Sequence, residues 1–178
     1  GDWLVLVLLA LLVFQAIFSL EASEWPLALR VVVPVSLLGM AFSYMLARSQ
    51  YGEFLALFIN TVYGGLLTLF VAAFYESGNI VEGMSSVIVR AVRWSVDAFT
   101  GGINQDPLVF TLLVAILFWF IAYNAVWHVF RIDRVWRVII PPALIMLANM
   151  IFYTGDTSLD TYFITFVLCC HIFHSLIT

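Results

Sequence analysis

Lysine is absent from this sequence. Its seven basic residues are all arginines (Arg30, Arg48, Arg90, Arg93, Arg131, Arg134 and Arg137), set against eleven carboxylates, and charged residues make up only 10% of the 178, where a soluble domain carries about a quarter. No basic footprint for a phosphate backbone exists, which excludes nucleic-acid binding. The only two cysteines, Cys169 and Cys170, are adjacent in an apolar segment, so they neither build a disulfide framework nor have a cationic neighbour to make a reactive thiolate. There is no phosphate-binding loop, since Gly64 and Gly65 lie inside an apolar run rather than after a strand. Charge is also missing from the middle of every apolar run, which argues against an ion pathway built on buried carboxylates.

What remains is apolar: 64% of the chain is hydrophobic and 16% aromatic. A bilayer crossing takes about 20 apolar residues, so the expected fold is all-α, a polytopic membrane protein of about six transmembrane helices in a single domain. The spans are expected near residues 3–20, 26–47, 54–75, 108–130, 135–153 and 159–177. Pro26 suits a first helical turn and Pro34 should kink the second span. Asp106-Pro107 has the form of an N-cap followed by a first-turn proline. Pro141-Pro142 removes two successive backbone donors, so the fifth span is either strongly kinked or starts only at Pro141.

Between Glu76 and Asp106 a different pattern holds. Glu82, Ser86, Arg90, Arg93 and Asp97 recur at spacings of three and four opposite a broad apolar side that includes Trp94, which predicts an amphipathic helix over 79–100. Asn79 offers an N-cap and Gly101-Gly102 a stop. Its moment and position suit a helix lying in the bilayer interface, with Glu82, Arg90, Arg93, Trp94 and Asp97 as its interfacial residues.

An even number of spans puts both ends on one side. The short-loop arginines Arg48, Arg131, Arg134 and Arg137 all fall on that side, which makes it cytoplasmic and the amphipathic helix external. Among polar residues within the spans, Asn60, Gly64, Gly65, Asn124 and Asn149 are expected to serve helix packing. His128, His171 and His174 lie toward the inner ends of two spans. They are expected to pack, with haem iron or chlorophyll magnesium as the alternative; no cofactor, metal site or catalytic residue is otherwise expected.

Several segments, in order along nearly the whole chain, carry a family likeness. They are DWLVL at 2–6, SLEASEW at 19–25, LLG at 37–39 with LARS at 46–49, DPLVF at 106–110, AYNAVW at 122–127 with Phe130-Arg131, and IPPAL at 140–144 with Asn149. Together they resemble the N-terminal membrane region of bacterial transglutaminase-like membrane proteins. The resemblance implies a location in the bacterial cytoplasmic membrane and a longer protein. Past Thr178 that protein would continue through a cytoplasmic loop and a further span to an extracytoplasmic catalytic domain. That domain carries the family's Cys, His and Asp, and Cys169 and Cys170 do not match its motif. This chain would then be no enzyme itself but a membrane anchor and assembly module, partnered by lipids and by other subunits or a second copy. An accessory subunit of a respiratory or photosynthetic complex is the alternative, and a transporter or channel a third reading, although no inverted repeat is evident.

Overall fold

The computed structural model describes residues 1–177, and the chain is 82% helical with no strand among the described residues. Seven α-helices follow one another: α1 (Asp2–Ala22), α2 (Leu29–Ala47), α3 (Glu53–Glu76), α4 (Ile80–Thr100), α5 (Pro107–Trp127), α6 (Trp136–Phe152) and α7 (Asp160–Ile177), with a π-helical turn (His128–Ile132) extending α5. Five of them (α1, α2, α3, α5 with its π turn, and α7) are long and apolar enough to cross a membrane. The expected fifth span, α6, has 17 residues, about 25 Å of helix against a hydrocarbon core of about 30 Å.

The helix α5 is the hub. It packs most extensively on α2 and also touches α1, α3, α4 and α6; 67% of its most apolar stretch is buried, against 11% for α7. Leu9, Leu12, Val13, Ala16 and Ile17 of α1 are buried at helical spacing, giving α1 one face for the bundle. The outlying α7 leans on α1 and buries only Phe166 and Phe173. Close approach of α2, α3 and α5 is set by two glycines. A Cβ on Gly39 would sit 3.2 Å from the ring of Trp119, and one on Gly64 would overlap that fully buried indole outright. Gly65, expected in the same packing face, looks into open space instead; it lies 100° around the helix from Gly64.

Pro26 departs from expectation, and the helix start decides between the two forms expected around Pro141-Pro142. Pro26 lies outside α2, because the segment before Leu29 is held extended: Ala28 N–H donates to Thr111 Oγ1 (3.2 Å) and Leu27 N–H to the Trp25 carbonyl (2.6 Å). Pro141 and Pro142 sit inside a helix that already begins at Trp136. The missing N–H of Pro141 leaves the Arg137 carbonyl without its helical donor, and Asn124 Nδ2 of α5 supplies one at 2.5 Å. Pro107 and Asp106 are as expected, with the Asp106 carboxylate accepting from the N–H groups of Leu108 (2.9 Å) and Val109 (3.4 Å). The π turn that replaces the last α-helical turn of the fourth span closes with Asp133 left-handed (φ 58°) and Arg134 N–H on the His128 carbonyl at 2.9 Å. This bond spans six residues, one more than the 6→1 bond of a Schellman stop, because the π turn has widened the helix end.

Candidate functional site

The polar residues of the bundle collect at its two ends. At the end formed by the 23–28 loop, α4 and the start of α5, Arg90 is the central group. Its guanidinium grips Asp106 in a two-bonded fork (Nε to Oδ2 2.7 Å, Nη2 to Oδ1 2.5 Å) and gives Nη1 to Glu76 Oε1 at 2.7 Å, a geometry matched to carboxylates. Ser86 Oγ reaches the same Glu76 oxygen at 3.3 Å. One arginine thereby joins the middle of α4 to the end of α3 and the cap of α5. The bonded Arg90 guanidinium holds the Asp106 carboxyl below its ordinary value, against the opposing effect of burial; Arg90 is raised in turn, first by the same bond.

Arg90 and Asp97, on the polar side that the periodicity marked, are thus bonded to neighbouring segments. Asp97 accepts from Asn104 Nδ2 (2.7 Å) in the returning loop, while Glu82 and Arg93 stay exposed. The helix turns its polar edge inward because the carboxylates of the neighbouring helix ends lie there. Gly83 permits the approach, since a Cβ would overlap the Ala73 carbonyl of α3. Val81, Ile88, Val89, Val92, Val96 and Phe99 form an apolar stripe facing away from the bundle. Asn79 caps the helix through Val81 N–H (3.1 Å), and Gly101 ends it at φ 80°.

Beside this cluster, Asn149 of α6 joins three segments. Its amide donates to Ser19 O (2.9 Å), Ser19 Oγ (3.1 Å) and Ser23 Oγ (2.7 Å), and its carbonyl accepts from Trp25 Nε1 at 2.9 Å. Trp25 also stacks on Phe110 of α5, with centroids 5.6 Å apart and planes within 10°. In mid-bundle Asn60 accepts from Trp119 Nε1 through its side-chain oxygen (3.1 Å) and its backbone carbonyl (3.2 Å).

The opposite end carries the short-loop arginines. Arg48 pairs with Asp2 and lies over the Tyr44 ring, whose hydroxyl donates to the same carboxylate at 2.8 Å. Arg131 donates to the carbonyls of Ala47 (3.3 Å), Ser49 (2.7 Å) and Tyr51 (3.2 Å), satisfying the carbonyl end of α2 where a cation also suits the helix dipole. His128 has both ring nitrogens engaged. Nδ1 lies 2.8 Å from the Asn124 carbonyl, which can only accept, so Nε2 takes the Arg137 Nη1 donor at 3.1 Å. That leaves the imidazole no lone pair for a metal in this arrangement. His171 and His174 are exposed on α7, and among the described residues no three His, Cys, Asp or Glu side chains gather as a metal group.

Sequence reasoning marked Asn60, Gly64, Asn124 and Asn149 as packing residues, and each makes an interhelical contact. It missed the partners Trp25, Asp106, Trp119, Glu76 and Arg137. A signal existed only for Arg137, which stands four residues before Pro141. Comparison with protein-family models, curated proteins and solved structures finds no match, so the roles of these residues rest on their geometry.

Proposed function

We propose that this chain is the membrane anchor and assembly module of a transglutaminase-like membrane protein whose catalytic domain lies outside this sequence. It sits in the bacterial cytoplasmic membrane with both ends cytoplasmic and α4 along the external interface, among lipids and further subunits or a second copy. The observation that carries this reading is the Arg90 clamp. It fixes an amphipathic helix across the ends of α3 and α5, a platform on which an external domain can rest. The apolar stripe of α4, with Phe99 at 93% exposure, then faces lipid, as an interfacial helix requires. The gathering of Arg48, Arg131, Arg134 and Arg137 at the other end supports the orientation.

A second reading has its own observation. The helix α7 is nearly unburied, with Ile164, Val167, Leu168 and Ile172 open beside His171, a wall suited to docking as an accessory subunit beside a haem or chlorophyll protein. Intact mass and an absorption spectrum of the native gene product separate the two. A polypeptide much heavier than 20.1 kDa without visible bands supports the anchor; a mass near that value with stoichiometric haem or chlorophyll bands overturns it.

A further inference from the structure

The stacked pair of Trp25 and Phe110 is the shared wall of two cavities. On the bilayer side lies a slot of about 300 Å³ between α5 and α6, bounded by Leu20, Val114, Leu117, Ile145, Ala148 and Phe152, whose walls expose no polar atom. On the water side lies a cavity of about 400 Å³ whose lining includes Trp94, Asn104, Gln105 and Asp106. Trp25 and Phe110 line both. The two spaces together are amphipathic over a short distance, at the boundary where Trp is favoured in membranes.

The charge around the polar cavity is unbalanced. Asp106 lines the cavity, with Glu76 and Asp97 behind; against these three carboxylates stand Arg90, whose guanidinium is already committed to Asp106 and Glu76, and Arg93, exposed next to the cavity-lining Trp94, so one negative charge is left over. Asp97 stands one hydrogen bond behind the cavity-lining Asn104. An anionic headgroup meets net repulsion here, whereas an ammonium group meets attraction, with the Trp94 ring available for a cation–π contact. Side-chain N–H groups of Trp94 and Gln105 can donate to a phosphate. We infer that this paired cavity is a binding site for one zwitterionic phospholipid bearing a primary ammonium headgroup, its acyl chain between α5 and α6 and its headgroup under α4. The inference rests on the helices being embedded in a bilayer and is independent of what the chain anchors.

Native mass spectrometry of the full chain, purified in mild detergent and offered equimolar dioleoyl phosphatidylethanolamine and dioleoyl phosphatidylglycerol, tests it. One phosphatidylethanolamine should be retained, preferred about fivefold, the weight of one unit charge near a membrane surface. Ala148→Trp and Leu117→Trp both fill the slot from exposed positions, so neither disturbs the core. Each should abolish retention, while Leu66→Trp on the exposed side of α3 should leave it unchanged. Asp97→Asn, which keeps an acceptor for Asn104, should bring the two lipids toward parity without loss of total binding. Equal retention of both lipids by the native chain, or retention undiminished in both slot-filling variants, overturns the inference. A preference unchanged in Asp97→Asn overturns the headgroup assignment.

Discussion

Single residues decide how closely these helices approach. Gly64 and Gly65 are adjacent and chemically identical, yet only Gly64 faces Trp119. Gly64→Ala should destabilise the bundle by about 1–3 kcal/mol through overpacking a rigid indole. Gly65→Ala should be neutral or stabilising by up to about 1 kcal/mol, since alanine is the better helix former. Thermal unfolding of the two variants in one detergent checks the contrast, and equal losses would contradict the packing described. Asn149→Leu removes four hydrogen bonds at once and should cost about 1–3 kcal/mol, given that a single interhelical bond in a membrane protein averages about 0.6 kcal/mol. The sequence made Asn149 conspicuous as an amide in an apolar run but could not name its partners. Ser19, Ser23 and Trp25 lie more than a hundred residues away in the chain, and hydrophobic periodicity carries no information about which helices are neighbours.

At the scale of elements, seven helices were legible with boundaries displaced by a few residues, because length and hydropathy set them. What local chemistry left wrong or open, tertiary contacts decide. Pro26 is drawn out of α2 by the anchoring of Trp25, and α6 continues through two prolines because Asn124 completes the broken turn. This makes a coupled prediction. Asn124→Leu should destabilise the protein, and Pro141→Ala should help more in that background than in the native chain, because it restores an N–H to Arg137. A coupling of about 1 kcal/mol in the double-mutant cycle is expected; additivity would sever the link. The docking of α4 has a pH signature. Because the folded-state value of Asp106 is depressed, its contribution is complete at neutral pH. The contribution is lost as pH falls from the ordinary carboxylate value near about 3.9 through the lower folded one, while Arg90 stays protonated throughout. Hydrogen exchange of α4 amides should accelerate over that acid range, and Arg90→Met, which removes the fork, should abolish the dependence.

For the whole molecule, the separation of arginines from the cluster at Arg90 defines two ends. Single cysteines at Gly78→Cys and Asp133→Cys, in a Cys169→Ala, Cys170→Ala background, should label oppositely with an impermeant maleimide. The first should react from outside intact cells, and the second only after they are opened; the reverse pattern would invert the orientation. That several helices are long and apolar enough to cross a membrane was legible in composition, because a span needs about 20 apolar residues. The arrangement around α5 was not, since five apolar helices of similar length are interchangeable until Gly39, Gly64 and Trp119 are seen to fit together.

The tie between Asp2 and the Tyr44–Arg48 turn also bears on how the protein is made. A ribosome delivers α1 before any of α2 exists, and during that interval the Asp2 carboxylate has neither the Tyr44 hydroxyl nor the Arg48 guanidinium that receives it in the finished fold. Its partners arrive only when the end of α2 returns to the Asp2 end of α1. Helices α1 and α2 thus mature as a hairpin with a latch at its open end, and the latch closes only once α2 has run back antiparallel along α1.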